Sequence, residues 1–367
     1  MSIALRNEID VTVSVARGAI AAVEILPRSR PPLTRLFAGK PVASLLYVLP
    51  RLFSLCAVAH QVAFLSAFEA ARGVEMSPAT RQHRIASVMA ERLTELLRGL
   101  FVGHMGLDHR SAAAVRAMMQ AIPVLGGGVA EGSDGQPRRD AISRVKTALA
   151  ALGISGADPM PAAGSPLALY IASLEVDALT PIPVDETFLS AADDRDVVAR
   201  LFADGAGFSE SPELAGRIPE TGVWARSINR RQSSQRESGP AVRLQARVTE
   251  IARLCAWLET GEESADSMEQ AVVESYAPRS GRGAAAVECA RGRLYHALEL
   301  HPDGQIARFE FLAPTEWNFH ARGPLVRRLQ GSMLAGSRRG RDAVRALVGS
   351  FDPCVGFSLN FREAADA

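Results

Sequence analysis

The run from Leu52 to Ala71 constrains this chain more than any other stretch. It is apolar enough to raise the question of a membrane span. Yet it holds His60, Gln61 and Glu69, and Pro50-Arg51 stands just before it. A span needs roughly 20 residues almost free of such groups. The run therefore predicts a buried core helix that stops near Gly73. The following segment, Pro78 to Leu100, is periodic: Ile85, Val88, Met89, Leu93, Leu96, Leu97 and Leu100 recur at three- and four-residue spacing, so one helix face is buried.

Further helices are expected at Ser111 to Ile122, at Asp140 to Leu152, within Glu186 to Phe202 and over most of Arg327 to Leu347. Another follows the apolar face of Leu244, Val248, Ile251, Leu254, Cys255 and Leu258. Ile9 to Val15 alternates apolar and polar residues, meets Arg17-Gly18 and runs on to Leu26, which predicts an N-terminal β-hairpin. Leu294 to Leu312 predicts a second one about Pro302-Asp303-Gly304. Pro27 to Pro32, Gly126 to Pro137, Ser155 to Pro183 and Asn229 to Pro240 are expected as loops or irregular chain, with a break at Ser280 to Gly283. Gly126-Gly127-Gly128 has neither G-x-G-x-x-G spacing nor a Gly-Lys-Ser/Thr ending, so it does not read as a nucleotide loop. The expected fold class is mainly α with small β-hairpins (α+β), as a single domain over 1–367. Its parts are an N-terminal hairpin 9–26, a helical core 52–260, a second hairpin 294–312, and a C-terminal helix and cysteine loop 327–360.

Composition adds exclusions. Lys+Arg is 41 and Asp+Glu is 40, a net charge of +1, which drives no general binding to nucleic acid or to an anionic membrane. Four cysteines are too few for a disulfide scaffold. Arg6, Glu8 and Asp10 precede any apolar stretch, so the start does not read as a signal peptide. The expected compartment is the reducing cytoplasm.

Three segments carry possible chemistry. In Arg51-Leu-Phe-Ser-Leu-Cys56-Ala-Val-Ala-His60, Cys56 and His60 share one face if helical. They suit a metal or an imidazole-activated thiol; equally, a small buried thiol beside a core histidine fits. In Ser350-Phe-Asp-Pro-Cys354-Val-Gly-Phe-Ser-Leu-Asn360, Asp352-Pro353 favours a turn that presents Cys354 from a loop. In Glu288-Cys-Ala-Arg-Gly292, a guanidinium precedes the second hairpin, either to hold an anion or as a surface salt bridge.

Taken in order, these segments resemble the large subunit of nickel–iron hydrogenases. That family has R-x-C-G-x-C-x-x-x-H near its N-terminus, E-x-P-R-G leading into a hairpin, and D-P-C-x-x-C-x-x-H at its C-terminus. Glu69-Ala-Ala-Arg-Gly73, Glu220-Thr-Gly-Val-Trp-Ala-Arg226 and Ala313-Pro314-Thr315-Glu316-Trp317-Asn318 resemble further family segments. The resemblance covers nearly the whole chain. The departures are specific: the outer cysteine of the first motif is Phe53 and its glycine is Ser54. The second cysteine of the last motif is Phe357, and its histidine is Asn360. The family's early glutamate is Thr34. A nickel–iron site of the family's kind uses four thiolates, and two of the four positions are phenylalanine here. The resemblance thus implies no nickel centre and no hydrogenase activity: not an enzyme.

With Phe311 to Pro324 included, the chain is similar to the HupK/HoxV group of hydrogenase expression and formation proteins. These resemble a degenerate, shortened large subunit and are implicated in assembling an Fe(CN)2CO fragment. The resemblance implies that Cys56 matches a bridging cysteine and Cys354 a terminal nickel ligand, and that the two bind the iron. Beyond its diatomic ligands the iron needs about three donors, so the two thiolates would be joined by an exchangeable or partner-supplied one. Soft thiolates suit such an iron. Arg291 matches the arginine that approaches the cyanides, where its planar fork donates hydrogen bonds. His60 matches the histidine expected to orient the thiolates. The implied partners are a small iron-carrying maturation chaperone of the HypC type and a hydrogenase large subunit. Cys289 is expected either as a third thiol or in packing, Cys255 in the core, and Trp317 and His320 in a packed turn. Two further readings stay open. One is a metal-free interaction module that docks maturation factors as a large-subunit mimic. The other is a structural zinc site of Cys56, His60, Cys354 and an unidentified ligand.

Overall fold

The structure is a computed structural model that describes residues 8–101, 108–126, 136–154, 160–174, 179–231, 239–260 and 271–364. Most of the Gly126 to Pro137 loop, parts of Ser155 to Pro183 and the Gln232-Ser233-Ser234-Gln235 stretch lie outside the described residues.

The apolar run forms one buried helix, but it starts at Ala57 and not at Leu52, which is the last residue of a preceding helix. Helix Val42–Leu52 contains Pro50, and a second helix, Ala57–Ala71, begins after the turn Phe53 to Cys56. Proline lacks an N–H and crowds the preceding turn, and the first helix stops two residues beyond it. The second helix is buried on several sides through Ala59, His60, Val62, Ala63, Phe64, Ser66 and Ala67. It packs between the long helix Pro78–Phe101 and an antiparallel sheet of four strands: Val273–Arg279, Arg282–Cys289, Gly292–Leu300 and Ile306–Leu312. Helix and sheet touch at Gly283. A Cβ there would lie 2.1 Å from the Ala67 carbonyl oxygen and 2.3 Å from the Ala71 nitrogen, so a side chain would push the layers apart.

The second expected hairpin is thus the last half of this sheet. Its first half escaped the sequence reading because Arg282–Cys289 is almost continuously buried and shows no polar alternation. The Ser280 to Gly283 break is the turn between the first two strands.

The N-terminal hairpin forms, as Ile9–Ala16 and Ala19–Leu26. Strand Ile9–Ala16 also pairs in parallel with Phe357–Glu363, with Ile9 opposite Phe357 and Thr12 opposite Asn360. The short strands Met333–Leu334 and Leu179–Thr180 extend the far side of this sheet. Its apolar face, including Ile9, Val11 and Val13, packs on Leu325, Leu329, Val344 and Val348. The expected helix Arg327 to Leu347 is interrupted: helix Pro324–Leu329, the short strand, then helix Ser337–Ser350. Helices His109–Gly126, Gln136–Ala151, Asp194–Asp204 and Pro240–Thr260 stand where helical pattern was read. Among the described residues no helix is long and apolar enough to cross a membrane.

Candidate functional site

A cavity of about 120 Å³ opens where the turn 52–56, the strand turn Cys289 to Arg291 and the loop Cys354–Val355 meet, with Arg28 and Ala313 to Thr315 completing its wall. It has room for several water-sized groups.

Cys56 reaches this cavity because the helix break makes it the N-cap of Ala57–Ala71. Its side chain makes no capping bond. Instead the N–H groups of Val58 and Ala59 donate to the Glu91 carboxylate, at 2.7 and 2.9 Å. Burial pushes the Glu91 carboxyl up to about 7, against the pull of those two bonds. The Cys56 thiol, 8% exposed, interacts directly with the thiol of Cys289. The first thiolate of this pair is favoured by the S–H of its partner and the backbone N–H of Arg291. The second is opposed by that partner and by burial.

Arg291 is buried, so the surface salt bridge is excluded. Its Nη1 lies 3.6 Å from Cys56 Sγ, both Nη atoms lie 3.3 Å from Glu95 Oε2, and Nε faces Asp352 Oδ2 at 3.7 Å. Burial opposes its charge, but Asp352, Cys56, Glu95 and Cys354 outweigh it and hold the guanidinium protonated.

The turn bearing Cys289 and Arg291 is fixed from beneath by Arg226. Its guanidinium donates to Glu250 (2.6 and 3.0 Å), to Glu288 (2.6 Å) and to the carbonyls of Cys289 (3.1 Å) and Ala290 (2.9 Å). Gly292 follows at φ +128°, where a Cβ would lie 2.3 Å from Thr221 Oγ1. Thr221 accepts the Arg293 N–H at 3.0 Å, and its own backbone pairs both ways with the Asn318 amide at 3.0 Å. The segments 220–226, 288–292 and 313–318, found separately in the sequence, therefore form one interlocked support.

Cys354 stands on a loop, as Asp352-Pro353 predicted. Asp352 adopts φ +51°, and Cys354 Sγ lies 3.1 Å from Thr315 Oγ1. Cys56 and Cys354 thus share the cavity despite being far apart in sequence. Among the described residues no three His, Cys, Asp or Glu side chains are already grouped to hold a metal ion, so the zinc set has no ready-made cluster.

The departures have structural explanations. Phe53 fills its place by stacking on His60, with ring centroids 3.6 Å apart and an interplanar angle of 2°. His60 lines the cavity, but its Nδ1 shares a hydrogen bond with His296 Nε2 at 2.9 Å and not with a thiol. Burial, the neighbouring His296 and Arg28 push His60 well below the usual imidazole range. Phe357 leaves the cavity for the N-terminal sheet and its core, and Asn360 is exposed beyond it. Thr34 hydrogen-bonds the backbone of Phe309 and so fastens its helix to the sheet. Trp317 is fully buried, and His320 bonds Ser211 at 2.6 Å and the Arg322 N–H at 3.0 Å, as a packed turn requires.

Glu91, Glu95, His296 and Thr315 were not singled out from the sequence. One signal was present: Arg92 and Glu95 interrupt the apolar stripe of Pro78–Phe101 on its buried face, where Arg92 pairs with Glu250 at 2.8 Å.

These features define a class, the large-subunit fold of nickel-dependent hydrogenases. The structure matches the NiFeSe hydrogenase of Desulfomicrobium baculatum with a TM-score of 0.60 at 15% identity, over 93% of this chain and 95% of that chain. The family model "Nickel-dependent hydrogenase" matches residues 219–359. Within that class the relatives are more specific. The chain is 60% identical to the hydrogenase expression/formation protein HupK of Bradyrhizobium diazoefficiens across the full length of both. It is 37% identical to HupK of Rhizobium leguminosarum bv. viciae, over 98% of this chain and 97% of that one. The chain belongs to the HupK/HoxV group of hydrogenase expression/formation proteins.

Proposed function

We propose that this protein holds an iron bearing cyanide and carbon monoxide, Fe(CN)2CO, as cargo for a nickel–iron hydrogenase large subunit, and that it has no hydrogenase activity itself. One observation carries the reading: Cys56, Cys354 and Arg291 converge on one cavity, whereas the other two cysteine positions are phenylalanines. One phenyl ring plugs its place and the other stands off the cavity. Nickel would lack half its thiolates, while a single iron already carrying diatomic ligands needs fewer donors. The Arg291 fork can donate to cyanide nitrogens, and Leu52, Leu294 and Ala313 offer apolar wall to carbon monoxide.

Such cargo is labile and toxic, so it passes directly from thiolate to thiolate. A chaperone of the HypC type on one side and the large subunit on the other would each dock over the mouth of the cavity. A transient contact of this kind buries on the order of 1,000 Å².

The test is an infrared spectrum of protein purified without oxygen from cells that express the maturation machinery. Cyanide and carbonyl bands are expected. Cys56→Ala and Cys354→Ala should each lose them, and Arg291→Ala should shift the cyanide bands and weaken retention. Wild type that retains maturation factors but never shows the bands would sink the cargo reading in favour of a metal-free docking module.

A further inference from the structure

We propose that Cys289 is a third sulfur donor to the iron, so that Cys56 and Cys289 form the chelating pair and Cys354 completes the set from its loop. This rests on the cargo reading above. The sulfur that meets Cys56 is that of Cys289, whereas Cys354 is hydrogen-bonded to Thr315. All three thiols line the same cavity.

Burial alone does not explain Cys289, as Cys255 shows. Both are 2% exposed and both belong to the same apolar core, but Cys255, on helix Pro240–Thr260, does not line the thiol cavity, and burial pushes its thiol up to about 12. Cys289 lines that cavity, next to another thiol and beside a guanidinium. Its backbone is also held more rigidly than packing of a small side chain needs. Arg226 grips the carbonyls of Cys289 and Ala290, and Gly292 admits Thr221 at a distance no side chain would permit. Donor sets are placed in this way, by supports that leave the ligand little freedom.

The coordination arithmetic agrees. A six-coordinate iron with three diatomic ligands has three positions left, and three thiols line the cavity; as they stand they are not grouped to hold a metal ion, so binding has to draw Cys354 in on its loop. Each sulfur that binds gives up its proton to water at the cavity mouth, and the iron keeps its oxidation state. No donor need then come from a partner while the cargo is held. Cys354, on a loop and hydrogen-bonded to the Thr315 hydroxyl, is the donor a partner's thiolate would displace first.

The experiment compares full-length wild type, Cys289→Ser and Cys289→Ala, purified without oxygen beside the maturation machinery. It measures iron content, infrared bands, sulfur neighbours of iron by X-ray absorption, and thermal stability. Three sulfur neighbours are expected in wild type and two in the variants. Iron retention should fall by at least the roughly tenfold that loss of an outer-sphere partner already costs, and cyanide bands should shift. A folded variant that keeps full iron, unchanged bands and an unchanged sulfur count would overturn the inference and leave the cargo reading intact. Two sulfurs in wild type would overturn it as well. Wild type without bands would remove both readings together.

Discussion

Arg226 is the side chain whose removal should most disturb the site without touching the cavity. All five of its N–H donors are used: two on Glu250, one on Glu288 and two on the carbonyls of Cys289 and Ala290. Removing one partner of a buried ion pair costs about 3–5 kcal/mol, chiefly because a charge is left uncompensated. Here Glu250 keeps Arg92 at 2.8 Å and Glu288 keeps Arg293 at 3.4 Å, which moves that part to about 3 kcal/mol. Two carbonyls that lose donors add about 1 kcal/mol each. Arg226→Ala should therefore lose about 5 kcal/mol in urea unfolding and about 5–10 °C in calorimetric Tm. Arg226→Lys should recover less than half, since one ammonium cannot span two carboxylates and two carbonyls. Hydrogen exchange should speed up at residues 288–292 before it does in helix Ala57–Ala71. A Tm within about 2 °C of wild type, with unchanged protection of the turn, would refute the claim that Arg226 holds it.

Other perturbations follow from the same geometry. Burial lowers His296 to about 3 and pushes His60 down in the same direction. Both stay neutral when folded, so their contribution is complete above about pH 6.5 and is lost as pH falls towards 3, because only the unfolded chain takes up the protons. Glu91, raised to about 7, acts oppositely between pH 7 and its ordinary range. His296→Gln should reduce the stability lost between pH 7 and pH 5 by about 2 kcal/mol; an unchanged slope would mean that His296 charges in the folded protein. Gly283→Ala forces a Cβ onto the backbone of Ala67 and Ala71 and should cost about 2–3 kcal/mol in denaturant unfolding. Phe53→Ala removes the ring stacked on His60 and should cost about 3 kcal/mol. Phe53→Cys restores one thiol yet should bind no stoichiometric nickel by metal analysis, because the position of Phe357 lies off the cavity.

What could be read from the sequence divides along a physical line. Periodicity reports on one element and its own faces, so Pro78–Phe101 and the strand Ile9–Ala16 were legible. It does not report on partners distant in the chain. The parallel pairing of Phe357–Glu363 and the four-stranded sheet had no local signal, because an alanine-rich strand buried on both sides resembles any apolar run. In the site, Cys56, Cys354 and Arg291 stood out by chemical type and by resemblance, and the cavity brings them together. The direct interaction of Cys289 with Cys56 was not legible, nor was the turn of His60 towards His296. Both depend on where Pro50 ends a helix and how Phe53 then packs, which are outcomes of competition in three dimensions.

The parallel pairing of the first and last strands also sets a timetable. Cys56 and Cys354 are separated by most of the chain, and at roughly 5–20 residues per second the ribosome needs about 15–60 s between them. Through that interval the helices and the four-stranded sheet can fold, but the loop with Cys354, held by Thr315 and by Arg291 on Asp352, is not tied down on its far side until Phe357–Glu363 joins Ile9–Ala16. The thiol-lined cavity is therefore closed only once Cys354 and the strand Phe357–Glu363 have been made. A nascent chain can expose Cys56 and Cys289 well before it can enclose anything between them and Cys354.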